Sequence, residues 1–298
     1  MAKYDDREMQ QELERLQSSV EERLGGYFVF NGEGSANLLE SMRYSMLAGG
    51  KRIRPVICIM FCEAAGGSRE TALEAACAIE MLHTYSLIHD DLPCMDNSDI
   101  RRGKPSNHKQ FGEFTATLAG DALQAAAFET LLSSDLPAGT IVEMARILAQ
   151  AAGPQGICGG QHLDVHGVWK LLSQEELVQI HNMKTAALVA AAAKIGVVAA
   201  GGSQEQVKAA EDYAMSVGLA FQVRDDVLDI TEHTEKLGKP MGSDLENNKM
   251  TFAMIAGVAK CEEVIRDETL KAVAALEGKF ANIEFLTWFA HFLAGRDN

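Results

Sequence analysis

Apolar residues recur at helical spacing along almost the whole chain, as in Leu38, Leu39, Met42 and Met46 or Leu188, Ala191, Ala192 and Ile195, and strict strand-like alternation is absent. Such a pattern commits the chain to helices packed on helices, so the expected fold class is all-α, one domain over residues 1–298. Six prolines among 298 residues and 6% aromatics agree better with helices than with sheets. The periodicity predicts about ten helices, near 11–24, 37–48, 54–65, 69–93, 113–132, 138–152, 174–200, 204–230, 249–259 and 262–294 with a break. Glycine pairs at 25–26, 49–50, 66–67, 159–160 and 201–202 are expected to mark helix ends, because glycine tolerates the left-handed conformation after a last turn. Two polar stretches, 94–110 and 231–250, are expected to be loops at one end of the bundle.

Charge narrows the function classes. With 27 Lys and Arg against 42 Asp and Glu the formal charge is −15, which disfavours a nucleic-acid partner, since phosphate-backbone binding needs clustered positive charge. The start, MAKYDDREMQQELERL, lacks the basic-then-apolar pattern of a secretory signal. No run approaches the roughly 20 apolar residues of a membrane span. Cysteines 58, 62, 77, 94, 158 and 261 form no CxxC pairs and read mostly as small buried hydrophobes in a reducing compartment. A soluble cytoplasmic protein is expected.

What remains is why an anionic chain concentrates carboxylates at the ends of apolar segments. One cluster is Asp90, Asp91 and Asp96 in HDDLPCMD; the other is Asp225, Asp226 and Asp229 in RDDVLD. Asp225 and Asp229 share a helix face, while Pro93 should disturb the last turn of the first helix and let Asp96 swing in from the loop. Adjacent carboxylates in apolar surroundings repel one another unless a cation neutralises them. Oxygen ligands without His or Cys partners suit Mg²⁺, which prefers to be shared with substrate phosphates. Two such clusters facing each other across a bundle would hold metal, with a diphosphate as the bridging ligand. The basic residues support an anionic ligand: Gly49-Gly50-Lys51-Arg52-Ile53-Arg54-Pro55 sets three cations around a helix start, and Arg101, Arg102 and Lys104 follow the first acidic cluster. Lys184 and Lys239 add two more.

The chain resembles the trans-isoprenyl diphosphate synthases, especially the bacterial farnesyl type. The resemblance runs through GGKRIRP, EMLHTYSLIHDDLPCMDNSDIRRGKP, LAGDALQAAAFE, GGQHLDVHG, HNMKTAAL, FQVRDDVLDI and EKLGKPMGSD with Lys249. It implies an isoprenoid-synthase-type bundle around a central apolar cavity, and a Mg²⁺-dependent prenyltransferase, with three ions when substrate is bound, joining isopentenyl diphosphate to an allylic diphosphate. It implies Asp90, Asp91, Asp96, Asp225 and Asp229 as metal ligands. Arg101, Lys184, Thr185, Gln222 and Lys239 match the groups around the allylic substrate, with Lys184, Thr185 and Gln222 nearest the chemistry, and Gln161 and Asp164 match the substrate mouth. Lys51, Arg54, His83 and Arg102 match the isopentenyl diphosphate site. The family is typically homodimeric, and the Ala-, Leu- and Phe-rich face of 113–132 is a candidate for burial against a second subunit.

Product length turns on Tyr85 and Ser86. In a helix over 69–93, Tyr85 lies five residues before Asp90, about 7.5 Å down the axis, where its ring would close a cavity floor. In the family, a Tyr at this place with Pro93 and Cys94 inserted in the first motif resembles the bacterial farnesyl type, so the resemblance implies farnesyl diphosphate, with geranylgeranyl diphosphate as the alternative. Arg224, Ser98 and Thr251-Phe252-Ala253 depart from the family pattern, and none of them is an expected metal ligand. A zinc site at His162, Asp164 and His166, a metal phosphohydrolase, a terpene cyclase and a non-catalytic synthase subunit each explain fewer of these residues.

Overall fold

The computed structural model describes residues 6–29, 35–167, 172–237 and 251–296, with backbone alone at 229 and 231–237. Its elements are α1 (Asp6–Gly25), α2 (Ala36–Met46), α3 (Ile53–Ala64), α4 (Arg69–Asp90), a hairpin of β1 (Ile100–Arg101) and β2 (Lys104–Pro105), α5 (Asn107–Phe111), α6 (Glu113–Leu132), α7 (Ala138–Ala152) and α8 (Ile157–Gly167). There follow α9 (Gln174–His181), a π turn (Asn182–Ala186), α10 (Ala187–Ala199), α11 (Gln204–Leu237), α12 (Phe252–Ala256), α13 (Val258–Leu276) and α14 (Glu284–Ala294). The all-α expectation is met. The chain gathers into two compact units, Asp5–Ala149 with Ala192–Ser203, and Gln150–Ala191 with Gln204–Asn298.

In the first unit α4 is a core helix. Ser68 caps its start by accepting the Thr71 N–H, and its buried residues run from Ala72 to Ile88 with few gaps. It packs on α3, whose Pro55–Cys62 stretch is wholly buried, and on α6. The α6 contact is close because of one glycine: a Cβ at Gly120 would lie 2.2 Å from Nε2 of His89. In the second unit α11 packs on α13, and Val223, Val227, Phe252, Ala253, Cys261 and Ile265 form a shared apolar core. Each Val, Ile or Phe side chain removed from water there contributes about 1.5–3 kcal/mol.

Several details differ from the periodicity. Helix α4 stops at Asp90, before Pro93, which cannot continue it. Gly159-Gly160 lies inside α8, an element the pattern does not foresee. Gly66 and Gly201 do follow helices, at φ of 94° and 72°. The expected helix over 174–200 is interrupted by the π turn, and residues 231–237 continue α11 where a loop was expected. One stretch meets the expectation of no spanning run with an exception. Gln174–Ala199 is long and apolar enough to cross a membrane by length and composition, yet 61% of its apolar window is buried within the protein.

Cys94 and Cys158 are exposed and the other four cysteines are buried. Burial pushes the thiols of Cys62 and Cys261 up to about 11.

Candidate active site

The first acidic cluster is built by the end of α4. Once Pro93 has stopped the helix, the chain turns back and the Asp96 N–H donates to the Asp90 carbonyl at 2.9 Å, so the loop returns Asp96 to the helix end as its position after Pro93 suggests. Asp91 is turned inward, 2% exposed, and its carboxylate accepts both Nε (3.0 Å) and an Nη of Arg101. Burial opposes the Arg101 cation, but Asp91 with Asp90 and Asp96 outweighs it and holds the guanidinium above its ordinary pKa.

Arg101 and Arg102 are delivered by the β1–β2 hairpin, whose two-residue turn, Arg102-Gly103, has φ of 53° and 74°. A non-glycine residue there costs roughly 1–2 kcal/mol. The Arg102 guanidinium compensates by donating to the Gly49 carbonyl and lying against Gly50, where a Cβ would meet its Cζ at 2.8 Å. This explains why glycine stands at 50.

The three cations of GGKRIRP divide their roles. Arg52, itself left-handed at φ 47°, points into the core: it pairs with Glu80, reaches Glu21 at 2.6 Å and donates to the Met46 carbonyl at 2.7 Å. Both the Arg52 and the Glu80 side chains are essentially unexposed, so losing one partner would cost about 3–5 kcal/mol. Arg52 therefore holds the loop in place and is not a phosphate ligand. Lys51 stays exposed. Arg54 meets His83, with Nη1 3.3 Å from Nε2. Because guanidinium has no acceptor, Nε2 carries the lone pair and His83 is neutral. Burial, then Arg54, Arg102, Arg52 and Arg101, drives its pKa well below the ordinary value of 6.5.

Tyr85 is 5% exposed, edge-on to the His89 ring at 5.6 Å, one and a half turns before Asp90. Ser86 is buried beside it and donates to the His83 carbonyl at 2.8 Å. A cavity of about 20 Å³ beneath this end is lined by Thr84, Ile88, Asp91, Arg101 and Arg102. A wider cavity, about 950 Å³, lies elsewhere, around Tyr27, Glu74 and Thr130.

The second cluster lies on α11 and the π turn. Gly160 of α8 lets the π turn approach so closely that a Cβ there would sit 2.3 Å from the Lys184 nitrogen. Lys184 then reaches Asp164 of α8 at 2.7 Å, and one turn earlier Gln161 is buried with both amide atoms lacking a hydrogen bond. Thr185 donates to Oε1 of Gln222 at 3.1 Å, and Gln222 donates to Asp226 at 3.4 Å. Asp226, 4% exposed, accepts the Phe252 N–H at 2.8 Å, which ties α11 to α12. Its neighbour Asp225 is 41% exposed and pairs with Arg296. The Asp229 side chain and Lys239 lie outside the described residues.

Among the described residues, no three His, Cys, Asp or Glu side chains stand in metal-binding geometry. The His162 and His166 rings pack together at 4.4 Å, and Asp164 is engaged by Lys184. Each cluster fits a hard divalent cation in donor chemistry, oxygens alone, with the Asp96 backbone tied to that of Asp90 in the first and Asp225 41% exposed in the second. The orphaned Gln161 amide marks a place where the protein expects a polar ligand. Two residues escape a motif-based reading: Asp226 works as a backbone anchor, and Arg296 lies 71 positions beyond the carboxylate it meets. The departures now have positions too. Arg224 pairs with Glu262 at 2.7 Å, and Thr251 caps α12.

The polyprenyl synthetase family profile matches residues 35–284. The chain is 41% identical over 293 residues to the farnesyl diphosphate synthase of Geobacillus stearothermophilus, covering 97% of this chain and 98% of that one. It is 51% identical over 231 residues to the chloroplastic geranylgeranyl pyrophosphate synthase 3 of Arabidopsis thaliana, covering 76% of this chain and 64% of that longer one. Among solved structures, an FPP/GFPP synthase from Zymomonas mobilis superposes with a TM-score of 0.86 at 30% identity, covering 97% and 99% of the two chains. A geranyltransferase from Legionella pneumophila also gives 0.86, at 32% identity and 98% of each chain. The chain belongs to the polyprenyl synthetase family and is a short-chain prenyl diphosphate synthase, a transferase.

Proposed function

We propose that this protein joins isopentenyl diphosphate to dimethylallyl and geranyl diphosphate and stops at farnesyl diphosphate. The observation that carries the product length is Tyr85, a buried ring one and a half turns below Asp90. The second reading, geranylgeranyl diphosphate, is favoured by the plant relatives of that description.

Members of this family typically use a divalent metal; for this chain Mg²⁺ is proposed, three ions with substrate bound, held by Asp90, Asp91, Asp96, Asp225 and Asp229. The metal supplies neutralisation of the departing diphosphate. Arg101, Lys184 and Lys239 hold the allylic diphosphate, and Lys51, Arg54, Arg102 and neutral His83 hold isopentenyl diphosphate. Arg54, kept in place by His83, donates to the diphosphate as a fork. Thr185 and Gln222 aim dipoles at the allylic cation, Thr185 fixing the Gln222 amide by its hydrogen bond. The isopentenyl double bond attacks that cation in an apolar pocket, and the released diphosphate accepts the proton lost from the product cation.

We read both units as one synthase domain, supported by the family profile running across them. The exposed Phe114, Leu118 and Leu132 on one face of α6 support a homodimer. A cytoplasmic location is part of this reading. Substituting Asp90 or Asp225 with Asn tests the metal assignment. Each should lower turnover by about a hundredfold or more while the protein stays folded; full activity in both would refute it.

A further inference from the structure

Two consecutive features of α11 are bound to the end of the chain. Arg224 donates through Nε to the Ala294 carbonyl at 2.8 Å and through its fork to Glu262 at 2.7 and 2.9 Å. That contact fixes the backbone at the end of α14, two residues before Arg296. The Arg296 guanidinium then folds back over α11, its Cζ 3.8 Å above the Phe221 ring, and donates to the Phe221 carbonyl at 3.3 Å and to Oδ1 of Asp225. Phe221 and Asp225 stand four apart on one helix face, so a single guanidinium covers both.

We infer that Arg296 is the resident counter-ion of the Asp225 carboxylate, one that a divalent cation displaces. The inference rests on the reading of Asp225 as a metal ligand. Three observations carry it. The Arg296 side chain is 9% exposed while that of Asp225 is 41% exposed, so the carboxylate is the member of the pair that water reaches. Guanidinium and a hard cation compete for the same lone pairs, and both cannot hold one oxygen at full strength. The ring and the Phe221 carbonyl keep the guanidinium in place when the carboxylate is given up, so displacement does not require the chain end to leave. The first acidic cluster also carries an arginine, Arg101 on Asp91, but with the exposures reversed: there the carboxylate is 2% and the guanidinium 38% exposed.

The test is a Mg²⁺ titration at fixed inorganic diphosphate, followed by calorimetry and by thermal shift, on the full chain. In Arg296→Met the half-saturating Mg²⁺ should fall about three- to tenfold, the scale of a partly exposed charge-assisted contact. Arg296→Lys, which keeps the charge and loses the fork, should fall between, and it also serves if the Met variant folds poorly. On an Asp225→Asn background, where the midpoint is already raised, Arg296→Met should change nothing further. A midpoint that is unchanged or raised in Arg296→Met overturns the inference while leaving Asp225 as a ligand. A midpoint unmoved by Asp225→Asn removes the metal reading itself, and the inference with it.

Discussion

His83 accepts a hydrogen bond from Arg54 across 3.3 Å, in a half-buried position ringed by arginines. Protonating it there would set a fifth cation among four, so its pKa is held well below 6.5. A depressed histidine pKa means the unfolded chain binds the proton and the folded one does not. The stability it contributes is complete above pH 6.5 and is lost as pH falls below 6.5 towards the folded-state value. Over that window the loss is about 1.4 kcal/mol per pH unit. His83→Gln should flatten the acid limb of the melting-temperature profile; an identical limb in both proteins would contradict the neutral assignment.

Gly160 is a packing requirement of the contact between α8 and the π turn. A methyl group there would meet the Lys184 and Met183 backbone at 2.3–2.8 Å, and backbone cannot step aside as a flexible side chain does. Gly160→Ala should cost about 1–3 kcal/mol in chemical denaturation and weaken binding of the allylic substrate as Lys184 moves. A variant with unchanged stability and KM would show that the approach is looser than the geometry states.

Asp226 and Asp225 should separate cleanly, although they are adjacent. Asp226→Asn disturbs the acceptor of the buried Phe252 N–H and should cost about 1–3 kcal/mol in stability. Its Mg²⁺ midpoint should move less than that of Asp225→Asn. The reverse ordering in the same titration would reassign the anchor as the ligand.

Tyr85→Ala opens the space below the first motif and should shift products to longer prenyl chains, whereas Tyr85→Phe keeps the ring and should leave them as they are. Chromatography of the dephosphorylated alcohols reads the result, and identical distributions in all three proteins would exclude Tyr85 as the floor.

Much of this was legible in the residues. Pro93 ends α4 and returns Asp96 to Asp90, as its ring geometry demands, and the helical periodicity locates the long helices. Other parts are invisible to local pattern. A π turn leaves the apolar spacing of 174–200 intact while widening the ladder at Lys184, so periodicity reads one unbroken helix. The Gly159-Gly160 pair looks like a helix end because its purpose, close approach to a segment more than twenty residues away, is tertiary. Arg52 looks like one more phosphate ligand until Glu80 and Glu21 are seen to bury it. Arg296 has no motif at all; only the fold brings it to Asp225.

The most direct measurement is the chain length made by the purified protein from isopentenyl diphosphate and dimethylallyl diphosphate with Mg²⁺, repeated with geranyl diphosphate as primer. Farnesyl diphosphate as the end product from both primers is the result expected. Geranylgeranyl diphosphate as the end product would contradict the role given to Tyr85, and no prenyl diphosphate from either primer would contradict the synthase reading as a whole.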